Sequence, residues 1–265
     1  MHVDLLVENA RALFEPGPTV VLEAQGQTRE VRWGQPWQGG TAAHWVALTA
    51  YATAEYRSPS AHRHRIGVTL REDVAACVLG GFGMGFEIGL AAFHAVRAAG
   101  LLADGKTPTT QEFEAVLRRP LAVESRMRRY RFPSQRAQRL AGALSFLDAG
   151  GAPGHPVALR DWLTAAPGIG MKTASWIVRN HFGCDEVAVL DIHVVRAGVA
   201  AGVFDPGWSV ARDYRVLEAF FIQWAREGKV QTSDLDAVIW SEQATLSRMA
   251  RRRSPNKTPT TSRVA

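Results

Sequence analysis

Cysteine is almost missing from this chain of 265 residues: Cys77 and Cys184 are the only two. That scarcity excludes a disulfide scaffold, a four-cysteine zinc site and an all-cysteine iron-sulfur cluster within one chain. Long apolar runs are missing as well, since nowhere do about 18 apolar residues follow one another as a membrane-crossing helix requires. The opening MHVDLLVENARALFEPG carries acidic side chains early and no sustained apolar stretch, unlike a signal or transit peptide. A cytoplasmic protein without membrane contact is the expectation. Strand signal is scarce too. Acidic charge is outnumbered, 25 Asp and Glu against 31 Lys and Arg, for a formal charge of +6 and a pI near 9.8. That balance favours a polyanionic partner but identifies none. Apolar residues still make up 46% of the chain, enough for a real core.

What is present is mostly helical. HWVALTAYATAEY, REDVAACVL, EIGLAAFHAVRAAG, QEFEAVLRR, QRAQRLAGALSFLD, RDWLTAA, KTASWIVRNHFG and RVLEAFFIQWAREG each repeat apolar residues at three- and four-residue spacing. Thr109 with Glu112 forms a plausible capping box, Pro133 suits a first helical turn, and Gly100, Gly183 and Gly228 stand where helices should end. The one convincing strand pattern runs from Thr19 to Trp33, alternating around Gln25-Gly26-Gln27 as a hairpin does. A short helix is expected over residues 1 to 14. The expected organisation is an N-terminal extension with a small hairpin over residues 1–40, a helical core over 41–250 and a disordered basic tail over 251–265. Within the core, Gly150 to Pro156 reads as a linker between two helical layers.

One segment carries chemistry. Residues 163 to 198 read LTAAPGIGMKTASWIVRNHFGCDEVAVLDIHVVRAG. Pro167-Gly168-Ile169-Gly170 is a tight turn between two helices, its amides bare, and the N-terminus of the second helix points N–H groups outward, as a phosphate oxygen prefers. A turn joining two packed helices would look the same until the sequel, VAVLDIH, in which Asp191 follows Lys172 by 19 residues.

That combination resembles the helix-hairpin-helix DNA glycosylases, and among them the lysine-bearing branch that excises 8-oxoguanine. The resemblance spans roughly residues 75 to 246 and is strongest over 163–196. It implies an all-α, two-layer glycosylase fold with a small N-terminal β element, acting on double-stranded DNA as a monomer, at the nucleoid if the source is bacterial. It implies Lys172 as nucleophile and Asp191 as the catalytic carboxylate. Gly168, Gly170, Thr173 and His193 become DNA-backbone contacts. No cofactor is implied, and the missing iron-sulfur cluster disfavours the endonuclease III branch. The hairpin carbonyls near Pro167 to Gly170 would hold a sodium or potassium ion, as in relatives.

The chemistry asks for these residue types. Breaking an N-glycosidic bond pushes positive charge onto C1′ of the sugar, which a carboxylate stabilises where water is excluded. An amine attacks C1′ only when neutral, and an ordinary lysine is neutral about once in 2,500 at pH 7. A helix N-terminus and apolar burial favour the neutral form. The Schiff base that results permits β-elimination of the 3′ phosphate without a metal. Asp191 also fits an N-cap of the helix IHVVRAG, a role compatible with catalysis.

A flipped base needs planar partners. Trp176, one turn after Lys172, and Trp240, in LDAVIWSEQ, are the candidates, although tryptophans at helical spacing commonly belong to a core. Asp236 stands where the family branch places a glutamine that reads the base edge, and a carboxylate there leaves base identity open; Ser233 with Asp236 also fits a capping pair. Gly80 to Gly85 falls at the family's wedge loop, with Phe82 or Met84 to fill the vacated stack, unless its glycines serve close helix packing. Glu87 falls near a position at which the family's eukaryotic-type enzymes use an arginine to read the orphaned cytosine. Arg126, Arg128, Arg129, Arg131, Arg136 and Arg139, with Gln135 among them, read as a backbone-binding edge, and Arg136 falls near a second orphan-base reader in the resemblance. Three rivals stay open: the same machinery on a modified cytosine or a phage hypermodified base, a glycosylase without lyase activity, and a noncatalytic hairpin that only binds DNA.

Overall fold

The computed structural model describes residues 16–54, 64–81 and 83–253, with side chains through residue 246. The helix expected over residues 1 to 14, Phe82 and residues 254–265 lie outside that range. The first elements are β1 (Thr19–Ala24) and β2 (Gln27–Arg32), paired antiparallel with Val20 opposite Val31. Gln25 and Gly26 both take positive φ, 53° and 70°, as the two central residues of a type I′ turn must.

Ten helices follow among the described residues: α1 (Ala42–Thr53), α2 (Leu70–Leu79), α3 (Phe86–Ala98), α4 (Thr110–Leu117), α5 (Pro133–Asp148), α6 (Pro156–Leu163), α7 (Met171–Phe182), α8 (Ile192–Ala200), α9 (Val210–Glu227) and α10 (Thr232–Arg253). The capping box at Thr109 and Glu112 and Pro133 in the first turn of α5 stand as expected. Gly183 closes α7 in the left-handed region. A second ribbon, β3 (Leu121–Val123) with β4 (Arg126–Arg128), has no counterpart in the sequence pattern. Its alternation is hidden because arginine and methionine both point outward on β4, while only Leu121 is fully buried on the partner strand. The arginine-rich run is therefore strand at Arg126 and Arg128 and helix at Arg136 and Arg139. At the other end, α10 continues to Arg253, three residues into the segment expected to be tail. Ser233 does not pair with Asp236 as a cap; its N–H donates to Asp185 Oδ1 at 3.0 Å.

The apolar residues divide into two clusters, one per layer. The first is built by α2 to α7 and is lined by Phe93, Phe113, Leu140 and Ile177. The second is built by the β1–β2 hairpin, α1, α8, α9 and the start of α10, where Phe220, Phe221 and Trp224 of α9 are fully buried. Burying each such ring contributes roughly 1.5–3 kcal/mol. The chain meets the seam between clusters at two places that matter here: Ile169 and Ala174 lie in the first while Met171 packs on the second, and Val187 lies in the first while Ala188 lies in the second. Lys172 and Asp191 follow those two crossings directly.

Candidate active site and nucleic-acid interface

Helices α6 and α7 form the hairpin around Pro167 to Gly170. Gly168 has φ +79°, and a Cβ there would sit 2.7 Å from Cγ of Arg139, so the arginine stem lies flat over the turn only because glycine is present. Gly170 is the N-cap of α7 and supplies no capping side chain. The first-turn amides are left for an outside acceptor, and Gly168 and Gly170 are both exposed. Pro167, Gly168 and Ile169 carbonyls take no backbone hydrogen bond among the described residues, whereas that of Gly170 accepts from Ala174 N–H. Thr173 is half-buried beside them.

Lys172 is half-buried in that first turn and makes no ion pair or hydrogen bond among the described residues. Its electrostatic reach registers on the thiol of Cys77, on α2: burial pushes that thiol far above its ordinary range, Asp73 adds to the rise, and the charges of Arg179 and Lys172 oppose it. One turn on, the half-buried Trp176 lays its six-membered ring against the end of that helix, where a Cβ on Gly80 would be 3.0 Å from Cη2. Gly80 and Gly89 also meet, at 3.0 Å from a Cβ on Gly89 to Gly80 Cα. Part of the glycine content therefore serves close packing.

Asp191 is the N-cap of α8. Its Oδ1 accepts from His193 N–H at 2.8 Å and Val194 N–H at 3.0 Å. Its Oδ2 takes no hydrogen bond from the described residues, so capping occupies one oxygen and leaves the other for a substrate. The ring of His193 is half-buried, with Nδ1 enclosed and without a partner among the described residues.

The glycine loop has aromatic rings at both ends. Trp176 meets Gly80 at its start. At its finish Phe86, the first residue of α3, stands edge-on to Trp240 of α10, with centroids 6.2 Å apart and planes at 64°. These two rings are 44% and 41% exposed, which leaves both able to meet a partner. Phe86 is absent from the residues singled out by sequence, although an aromatic residue directly after a glycine N-cap is a visible signal. Met84 is half-buried against the first cluster. Phe82 lies outside the described residues. Glu87 is exposed at the same corner.

Two expected site residues are elsewhere. Arg136 is 8% exposed, and its Nη1 donates to the Val78 carbonyl at 2.8 Å while the hydroxyl of Tyr130 donates to that of Leu79. Together they satisfy carbonyls that the C-terminus of α2 would leave orphaned. Burial lowers the Arg136 pKa and pushes the Tyr130 hydroxyl up to about 12. Arg136 thus holds the base of the glycine loop instead of reading an orphaned base. Asp236 is likewise interior, 2% exposed, with Oδ1 on Arg179 and Oδ2 accepting from Val189 N–H at 3.3 Å. Burial pushes its pKa up to about 6 against the pull of Arg179. Asp236 is thus buried and bound through both oxygens to other parts of the protein, not presented at the surface.

The remaining basic edge is open. Arg126, Arg128, Arg129, Arg131 and Gln135 are exposed and Arg139 is half-buried. Arg131 stacks on Phe132 at 4.9 Å, and Phe132 in turn touches Gly83, so the ribbon adjoins the glycine loop. Replacing Arg126, Arg128 and Arg131 together by Ala should flatten the slope of log K against log salt by about 0.9 for each phosphate that the variant no longer neutralises. Arg136→Ala should leave that slope alone and cost about 1–3 kcal/mol of stability, read by denaturant unfolding.

Comparison with known proteins fits this geometry. Residues 99–230 match the family model of 8-oxoguanine DNA glycosylases with the helix-hairpin-helix motif. Among solved structures, the 8-oxoguanine DNA glycosylase of Thermotoga maritima is similar at 24% identity and TM-score 0.56, covering 75% of this chain and 92% of its own. An 8-oxoguanine glycosylase/lyase of Methanocaldococcus jannaschii, in complex with DNA containing 8-oxoguanine, is similar at 20% identity and TM-score 0.53, covering 77% and 89%. A trapped covalent endonuclease III–DNA complex matches at 18% identity and TM-score 0.50, covering 82% and 88%. At these identities the structures speak for the fold.

Proposed function

The chain belongs to the helix-hairpin-helix DNA glycosylases, and on that premise we propose that it excises 8-oxoguanine from duplex DNA and then nicks the strand, through Lys172 and Asp191. The carrying observation is that two groups are left available, each just after a point where the chain passes between the two clusters. Lys172 is half-buried and without a partner among the described residues in the bare first turn of the hairpin helix, and Asp191 caps α8 with one oxygen only.

In this mechanism the hairpin turn grips backbone phosphate, and the exposed Phe86 and Trp240 and the half-buried Trp176 meet the extruded base. A sodium or potassium ion at the Pro167, Gly168 and Ile169 carbonyls would add positive charge against the same phosphate. As the C1′–N9 bond lengthens, the purine leaves with the bonding pair and picks up a proton, while the Asp191 carboxylate faces the charge growing on the sugar. The neutral amine of Lys172 bonds to C1′, and ring opening gives an imine. Loss of a C2′ proton then expels the 3′ phosphate. Phe82 or Met84 fills the space left in the stack.

The rival acting on a modified cytosine or a hypermodified base draws on Asp236 and on the altered wedge loop; of these, Asp236 is committed to Arg179 and Val189. The test is a panel of duplexes carrying 8-oxoguanine, uracil, 5-methylcytosine or an abasic site, followed by gel analysis with and without alkali. Release from the 8-oxoguanine strand with a nick before alkali is expected. Release from a cytosine derivative alone, or binding without any scission, would replace this proposal with one of its rivals.

A further inference from the structure

The segment that delivers Asp191 has no regular structure, yet three consecutive residues in it are pegged by side chains from other elements. Ala188 N–H donates to Glu218 Oε1 at 3.0 Å, Val189 N–H donates to Asp236 Oδ2 at 3.3 Å, and Leu190 N–H donates to the hydroxyl of Tyr214 at 3.4 Å. That hydroxyl donates in turn to the Ala188 carbonyl at 2.8 Å. The two carboxylates are also held by the hairpin helices: Arg160 Nη1 of α6 donates to Glu218 Oε2 at 2.5 Å, and Arg179 Nη1 of α7 donates to Asp236. The four charged side chains are at most 10% exposed.

An extended segment without partners would be free to shift along the seam; this one is held at three successive residues. We infer that Glu218, Asp236 and Tyr214 are positioning residues, which fix Asp191 relative to Lys172 by tying residues 188–190 to the same two helices that present the lysine. The inference rests on the proposed function. Its physical premise is that a buried ion pair is a weak source of stability but a geometric constraint, because each of these carboxylates is held by an arginine through one oxygen and by the segment's backbone through the other. A catalytic group displaced by about 1 Å can lose 100-fold in rate.

The experiment uses single-turnover base release from an 8-oxoguanine duplex, binding to the same duplex, and amide hydrogen exchange at residues 188–190. The double variant Arg179→Met with Asp236→Leu replaces the ion pair by apolar side chains of similar size, which commonly preserves stability, and it removes the acceptor for Val189. It should bind DNA within about threefold of wild type, release base about 10- to 100-fold more slowly and exchange the Val189 amide faster. Tyr214→Phe, which removes one oxygen and keeps the packed ring, should show the same split to a smaller degree, and it carries the test if the double variant does not fold. Folded variants with wild-type release rates would overturn the positioning role. A wild type inactive on every lesion would overturn the proposed function, and this inference with it.

Discussion

Asp191→Asn is expected to bind a lesion duplex as wild type does and to release its base about 100- to 1,000-fold more slowly, the range seen when one charge-stabilising group is removed from a reacting centre. The substitution separates two roles that occupy the same side chain. Oδ1 caps α8 through His193 and Val194, and asparagine caps as well as aspartate, so stability should change by only a few tenths of a kcal/mol. The missing charge is what remains to explain the rate. Asp191→Ala is the complement, since it loses the cap as well and should cost about 1 kcal/mol more. Equal rates for wild type and Asp191→Asn would reduce Asp191 to a cap.

Lys172→Gln is expected to abolish Schiff-base chemistry altogether. Glutamine preserves length and helix propensity in the first turn of α7, and Lys172 has no ion pair among the described residues to lose, so the fold should be indifferent. Without a nucleophilic amine no covalent intermediate forms, and the strand nick should disappear below detection. Base release should fall by several orders of magnitude but not to the uncatalysed rate, because Asp191 and the aromatic residues remain. Undiminished release with no nick would mark the lysine as a lyase group only, with water as the nucleophile for the base.

The parts of this account visible in the sequence are those written in local periodicity and local turns. The helices follow their apolar spacing, and the hairpin follows Pro167 to Gly170. Lys172 and Asp191 stand out because the one sits at a glycine-capped helix start and the other at an N-cap. Charge is much less legible, because a charged letter does not say which way it faces. Arg136 stands in an arginine run most of whose other members reach solvent, and nothing nearby signals that α2 needs its guanidinium for a carbonyl 58 residues earlier. Asp236 resembles a base reader for the same reason: its partner Arg179 is 57 residues away, as Arg160 is 58 from Glu218. Such pairs become apparent only when packing closes the distance. The β3–β4 ribbon is hidden in an arginine-rich stretch whose strands are three residues each, too short for alternation to stand out.

Lysine is rare in this chain, at positions 106, 172, 229 and 257 only, which makes one measurement decisive. Wild-type protein is incubated with an 8-oxoguanine duplex under borohydride, digested, and the DNA-bearing peptide identified by mass spectrometry. The account predicts a reduced sugar adduct on Lys172, absent with an undamaged duplex. An adduct on Lys106, Lys229, Lys257 or the N-terminal amine, or base release with no adduct, would contradict it.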